Sequence, residues 1–443
     1  MKRLFFLSLL VPSLLLAQHT VKGVFSPPKD YNVVLLYKVT PTISKYISNA
    51  EINKDGSFKI KLDSTVTKGI YRLVYAVPQE DYNFDIIYNG KEDIELAFNS
   101  ETGVEFKKSI ENKLLASYTN SMSLVTQSIG NYFSKQSKDT TALKAIFKTQ
   151  KETQSSFEKA AKEFMALEFI KANKPYVPLK IEDVNVYSNN LKEHYFDYVD
   201  FNNKTLQSSS FLQEKMLNYV FGMSSDLEDE ITNYKKNIDV VCNKMKDTPN
   251  KVKRILLVDL WQQMVDLNYE PVANHIAEKY LMDVAVALND QELLGTLILY
   301  KNLSIGNKAP DFNVEIKQKE KLITKKLSEL NVAENYILVF WSSTCSHCLD
   351  EIPQLQTYIQ SKEKGLVKVV AVGLEDEPYR WKDLTYSFPE FIHVYGEGKW
   401  DNEIGDAYGV ISTPTYFILN KDKKIVEKPE DFETLKAFFG DEE

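Results

Sequence analysis

Tyr336-Ile337-Leu338-Val339-Phe340 runs without interruption into Trp341-Ser342-Ser343-Thr344-Cys345-Ser346-His347-Cys348. A short apolar run bounded by small polar residues reads as a buried strand, and the residues after it read as the start of a helix carrying two cysteines. Only three cysteines occur in 443 residues, so two of them falling three apart points to dithiol chemistry rather than accident. The third, in Val240-Val241-Cys242, lies within a helical pattern and reads as a buried, inert thiol.

A thiol attacks a disulfide only as thiolate, and the unpaired amides and positive dipole end at a helix N-terminus favour that anion. Cys345 is placed for it. Cys348, about one turn on along the same face, is placed to attack a mixed disulfide formed by Cys345 and release the partner. His347 can donate a hydrogen bond or positive charge to the Cys345 thiolate, which would make the pair more oxidising; the alternative is a solvent-facing residue that fills the turn. Glu351 follows Cys348 by three residues, where a carboxylate either exchanges a proton with that thiol or is simply solvated. Pro353 predicts a kink in the same helix. Far downstream, Ser412-Thr413-Pro414-Thr415 precedes a β run; read from the residues alone, Pro414 is an ordinary trans turn proline. A zinc site on Cys345, His347 and Cys348 would need further ligands, and neither a second Cys-x-x-Cys nor a suitable histidine pair is present. His194 and His275 lack companions at ligand spacing, so no metal or cofactor is expected beyond the redox-active Cys345-Cys348 pair.

Working outward, Met1-Lys2-Arg3 is basic and Leu4 to Leu16 is almost entirely apolar, with small Ala17 before Gln18. Residues 1–17 therefore read as a signal peptide, too short to span a bilayer, and the chain as exported to the periplasm or cell envelope. No cysteine follows to carry a lipid anchor, and no later stretch is apolar for long enough to cross a membrane, so the cleaved chain is expected not to be membrane-spanning. The balance of 54 basic to 62 acidic residues, with no concentrated basic block, argues against a nucleic-acid partner. So few cysteines in an exported chain exclude a disulfide-stapled scaffold.

The length suits two or three domains. Residues 18–108 alternate short β runs with turns: Val33 to Tyr37, Phe58 to Leu62, Tyr71 to Tyr75, Phe84 to Tyr88 and Ile94 to Phe98. This predicts an antiparallel β-sandwich, with Asn89-Gly90 as a tight turn between the last two runs. Residues 109–302 change to a helical period, as in Leu143, Ile146 and Phe147, interrupted by Pro175 and Pro178. The aromatic cluster Tyr195 to Phe201 in this region reads as core. Residues 303–443 read as an α/β domain, with strands at Tyr336 to Phe340, Leu366 to Gly373, Phe391 to Tyr395, Thr415 to Leu419 and Lys424 to Glu427. A helix near Asp431 to Phe439 closes it.

This last domain resembles the thioredoxin fold, and specifically the exported TlpA/ResA-like thiol-disulfide oxidoreductases. Five features carry the resemblance: Ala309-Pro310-Asp311-Phe312, the strand ending Phe340-Trp341, the Cys345-Ser346-His347-Cys348 motif, the Glu351 to Pro353 continuation, and Thr413-Pro414-Thr415 before a strand. It implies that Cys345 is the nucleophile, Cys348 the resolving thiol, Glu351 an acid-base helper and Pro414 a cis proline. His347, Thr413 and Trp341 are then modulating residues, with the Thr413 backbone available to an extended substrate. The implied partners are exported proteins bearing disulfides or dithiols, and a membrane electron donor that would make the enzyme a reductant. Thr344 stands where many members have tryptophan, and Ser346-His347 replaces the Glu-Pro of many reducing members, so the direction of electron flow stays open. Two rival readings are a thiol peroxidase of the same fold, which Leu338 opposes by standing where the peroxidatic motif has proline, and a protein-binding module with a redox-sensing site.

Overall fold

The computed structural model describes residues 19–41, 43–79, 81–223, 228–318 and 321–440; the signal-peptide reading lies outside them. The chain forms two compact units, one up to Val272 and one from Ala273.

The first unit opens with eight strands: β1 (His19–Ser26), β2 (Val33–Lys38), β3 (Lys45–Glu51), β4 (Ser57–Leu62), β5 (Gly69–Val74), β6 (Asn83–Tyr88), β7 (Ile94–Asn99) and β8 (Gly103–Lys108). They build two four-stranded sheets, in the orders β4-β1-β7-β8 and β3-β2-β5-β6. Period-two burial is plain in β4, where Phe58, Ile60 and Leu62 are buried while Lys59 and Lys61 are exposed. Both sheets feed one apolar cluster that includes Phe25, Leu36, Leu73 and Leu96. The pairing is not antiparallel throughout, because β1 runs parallel to β7. Nor is Asn89-Gly90 a hairpin turn. β6 and β7 lie in different sheets, and a two-residue turn cannot carry a chain from one sheet to another. The longer link is held by Asn89, whose Oδ1 accepts from Lys91 N at 2.9 Å while its Nδ2 donates to Glu92 at 3.1 Å.

Helices follow: α1 (Ile110–Ser134), α2 (Thr140–Ala160), α3 (Ala166–Ala172), α4 (Val184–Glu193), α5 (Lys204–Gln207), α6 (Phe211–Gly222), α7 (Glu230–Lys244), α8 (Asn250–Asp266), α9 (Glu270–Ile276), α10 (Met282–Leu288) and α11 (Gln291–Asn302). Their starts follow side-chain capping: Ser109, Asp139, Asp183, Asn203 and Asp229 each accept a backbone N–H from the first turn of the helix they precede. Of the aromatic cluster, Phe196 and Phe201 are buried, but Tyr198 is on the surface. Cys242 is partly exposed rather than buried, because its neighbour Val241 takes the inward position of α7.

The second unit carries β9 (Asn313–Gln318), β10 (Lys321–Lys326), β11 (Asn335–Trp341), α12 (Ser346–Ser361), β12 (Val367–Glu375), α13 (Pro378–Thr385), β13 (Ile392–Glu397), α14 (Glu403–Ala407), β14 (Thr415–Asn420), β15 (Ile425–Glu427) and α15 (Phe432–Phe438). Five strands form a sheet of order β13-β12-β11-β14-β15. β11 pairs parallel with β12 and antiparallel with β14. The β9-β10 hairpin stands apart from this sheet and was not read from the sequence. Tyr336, Leu338 and Phe340 of β11 enter one core, and Ile337, Val339 and Trp341 enter the other, so the central strand is enclosed on both faces. Leu303 is buried in the first of these cores and Leu299 packs on it. That is why the unit begins well before the 302/303 boundary read from the sequence. On β12, a Cβ at Gly373 would lie 1.9 Å from Trp381 Nε1, so only glycine lets that indole cover the sheet.

Leu338 is fully buried at the centre of the sheet. Leu338→Ala is expected to destabilise the protein by about 2–5 kcal/mol through lost transfer energy and the cavity left behind, read as a lower urea midpoint at unchanged slope.

Candidate active site

β11 fixes where the cysteines sit. Beyond Trp341 the chain turns through Ser342 and Ser343, both buried. The Ser343 N–H donates to the carboxylate of Glu375, itself buried at the end of β12. Ser342 and Thr344 hydroxyls are paired at 2.9 Å, and Cys345 N donates to Ser342 O at 3.2 Å. The loop is thus closed by its own polar groups before the helix begins. Cys345 has extended backbone and occupies the cap position of α12, its sulfur accepting from Cys348 N at 3.3 Å. A sulfur here fills the place that an oxygen takes in ordinary caps. Cys348, Ile352, Leu355 and Ile359 form the buried face of α12, at the alternating spacings of three and four that a helix packed on a sheet requires. The helix continues through Pro353, where the sequence predicts a kink.

The two thiols differ sharply. Burial alone would push Cys345 up, but hydrogen bonds from the Cys348 thiol, the Thr413 side chain and the backbone N–H groups of Cys348 and His347 outweigh it, and the net shift is downward. Cys348 is fully buried, and burial, reinforced by its contact with Cys345, pushes it up to about 12. Of the two, the outer sulfur is the one that ionises first as pH rises.

The Thr413-Pro414 peptide is cis, which corrects the trans reading made from the residues alone. The Thr413 carbonyl lies 3.1 Å from the Cys345 sulfur and accepts from its thiol form. Glu351 does not stand free in solvent, since its Oε2 accepts from the Tyr416 hydroxyl at 2.8 Å. Tyr416 is buried, and its hydroxyl is held neutral by burial and then by the charges of Glu351 and Cys348. Trp341 is buried behind the pair, edge-on to Phe388 at 6.1 Å.

Of the residues named from the sequence, the fold therefore gathers Cys345, Cys348, Thr413 and Pro414, with Glu351 tied in through Tyr416. His347 is exposed. Only its backbone N–H acts on the Cys345 sulfur. Sequence reading missed Glu375 and Tyr416. Tyr416 could have been noticed as the first inward residue after Thr415, whereas nothing near Glu375 in sequence ties it to the cysteines. Among the described residues, no group of three or more His, Cys, Asp or Glu is placed to hold a metal ion.

A mixed sheet with a buried central strand, a cysteine capping the first helix after it and a cis proline at that cysteine defines a thioredoxin-like redox domain. The comparisons with known proteins are more particular. A family model described as Redoxin matches residues 304–435. The thiol-disulfide oxidoreductase ResA of Bacillus thuringiensis subsp. konkukian is 30% identical over 133 residues, covering 29% of this chain and 70% of that protein. ResA of Bacillus subtilis is 28% identical over 132 residues, with 29% and 68% covered. A solved domain of a possible thiol-disulfide isomerase from Cytophaga hutchinsonii is 26% identical, with 31% of this chain and 92% of that one covered, at a TM-score of 0.26. The chain belongs to the TlpA/ResA-like thiol-disulfide oxidoreductases, and it is an oxidoreductase.

The inequality of the two thiols is directly measurable. When reduced protein is alkylated with iodoacetamide across a pH series and mapped by mass spectrometry, Cys345 should react with a midpoint below the ordinary thiol value of about 8.5. Cys348 should stay unmodified until the pH approaches about 12. Equal midpoints would overturn the assignment of roles.

Proposed function

We propose that the protein exchanges disulfides with other exported proteins through Cys345 and Cys348, acting as a reductant in the periplasm or cell envelope and recharged by a membrane electron donor. The observation that carries this reading is the asymmetry of the pair: one sulfur capped by a helix N–H and partly exposed, the other fully buried beneath it.

The steps follow from that asymmetry. The Cys345 thiolate attacks one sulfur of the partner's disulfide, the partner's S–S bond breaks, and the departing sulfur takes a proton. Cys345 is then in a mixed disulfide. Cys348 loses its proton and attacks the Cys345 sulfur, so the second partner sulfur leaves as a thiol. Two electrons and two protons have passed from the dithiol to the partner. The first attack needs a thiolate, which the hydrogen bonds at Cys345 favour. The second needs a base, because a thiol raised to about 12 is almost wholly protonated at neutral pH. Glu351, in hydrogen-bond contact with Tyr416 beside Cys348, is the carboxylate we assign to take that proton. Thr413, whose carbonyl already faces the Cys345 sulfur, would pair with the backbone of an extended substrate, and fully exposed Ile411 offers that substrate an apolar contact.

The relatives' name, thiol-disulfide oxidoreductase, leaves the direction of transfer open. The reductant direction is our reading of the balance at Cys345, where burial works against the hydrogen bonds that favour the thiolate.

Equilibration against dithiothreitol buffers should place the Cys345/Cys348 couple near the thioredoxin value of about −270 mV, whereas a value near about −120 mV would reverse the proposed direction. Cys348→Ser should accumulate the mixed disulfide with a model protein substrate, while Cys345→Ser should form none; equal trapping by both variants would refute the order of attack. Glu351→Gln should leave formation of the mixed disulfide unchanged and slow its resolution by about 10²-fold or more at neutral pH, with recovery as pH rises toward the Cys348 value.

A further inference from the structure

The first unit contains a cavity of about 500 Å³, within the range of about 300–1,000 Å³ typical of small-molecule sites. Its walls come from β5, β6 and β8 on one side and from α1, α3, Tyr195 and α6 on the other. Three groups of residues matter. Phe106, Phe169 and Leu115 supply an apolar surface. Asn120, Asn173 and Asn218 also line the cavity; Asn120 and Asn218 are at its solvent-exposed rim and Asn173 is half-buried, and among the described residues none of their side-chain amides is hydrogen-bonded to protein. The third is one cation, Lys215.

Lys215 is set in an unusual way. Its ammonium lies 4.6 Å from the centroid of the Tyr195 ring and 5.7 Å from that of Phe211, and no described carboxylate pairs with it. The two acids at the cavity are committed elsewhere. Asp85 holds Arg72 at 2.8 and 3.0 Å and accepts from Ser210 N at 3.1 Å. Glu214 accepts from the Ser210 hydroxyl and acts on Arg72. Burial, unopposed by any charge, pushes the Lys215 ammonium down to about 8. A half-buried cation held against aromatic faces, at a cavity rimmed by amides and with no described carboxylate beside it, is a site an anion would complete.

We propose that this cavity binds a small organic carboxylate carrying an amide and an apolar ring, the chemistry of an N-acyl amino acid, with the carboxylate on Lys215, the amide on the asparagines and the ring against Phe106 and Phe169. The site lies wholly within the first unit, so it is independent of the disulfide exchange proposed for Cys345 and Cys348.

The test is calorimetric titration of the purified full chain at neutral pH with N-acetyl-phenylalanine and with its uncharged analogue N-acetyl-phenylalaninamide. Saturable binding of the acid is expected, with the amide weaker by about tenfold or more, and Lys215→Met should remove that difference while circular dichroism shows the fold retained. Equal affinity for acid and amide, unchanged binding by the variant, or no binding of either probe would overturn the proposal. Should Lys215→Met fail to fold, the wild-type protein labelled at lysine Cε with ¹³C gives the same answer by NMR. N-acetyl-phenylalanine should move the Lys215 titration midpoint upward from about 8, and an unmoved midpoint overturns the assignment.

Discussion

Everything at the candidate active site depends on the burial of β11 on both faces. Its seven residues alternate between two cores with no polar side chain to spare after Asn335, so sliding the strand by one residue would exchange the contents of both cores. That fixes the strand's end, the buried Ser342-Ser343 turn, and the residue at which α12 starts. Cys345 becomes the cap because of this register, and the N–H that would otherwise be unsatisfied points at sulfur. The interaction of a charge with a helix N-terminus is worth about 0.3–1 kcal/mol, rising to about 2 when partly buried. One pKa unit corresponds to about 1.4 kcal/mol. At Cys345 the amides of the helix terminus add to the larger contributions of the Cys348 thiol and Thr413, and together these outweigh burial, so the thiol is lowered.

The same burial creates the opposite condition three residues later. Cys348 belongs to the row of side chains with which α12 packs on the sheet, and a packed sulfur cannot be hydrated as an anion. The fold thus gains one partly accessible thiol whose ionisation is favoured, at the cost of making its partner hard to ionise. In the exchange proposed here, Glu351, held by Tyr416, would answer that difficulty. Tyr416 lies on β14, the strand that follows the cis proline, and its hydroxyl holds the Glu351 carboxylate in place. A carboxylate fixed by a neutral donor keeps its capacity to accept one further proton.

What could be read in the sequence follows from how local each signal is. The β11 run and the two cysteines are contiguous, and contiguity is what periodicity detects. The β9-β10 hairpin escaped because Asn313-Val314-Glu315-Ile316-Lys317 and Lys321-Leu322-Ile323-Thr324-Lys325 mix charge with few apolar residues, of which only Val314 is fully buried. The β6-β7 link was misread for the opposite reason. Asn89-Gly90 is a strong local turn signal, yet the next strand pairs with β1 and β8 in the other sheet, from which Ile94, Leu96 and Phe98 enter the shared core. Glu375 and Tyr416 were invisible because their contacts with the cysteine loop and Glu351 span 32 and 65 residues of sequence. The cis state of Pro414 is likewise a tertiary outcome, since both isomers are open to the isolated peptide.

The division of labour between the two units follows from where the interactions end. The groups acting on the Cys345 and Cys348 sulfurs come from Ser342, His347, Thr413 and the cysteines themselves, and both cores that hold them are built within the second unit. The redox chemistry therefore has its supports without the first unit, which folds around its own clusters and its own cavity. Lys215 is partly accessible and packs against the Tyr195 and Phe211 rings with no described carboxylate beside it, an arrangement that an anion would complete. That unpaired lysine, more than the size of the unit that holds it, is the observation behind the binding role proposed for the first unit.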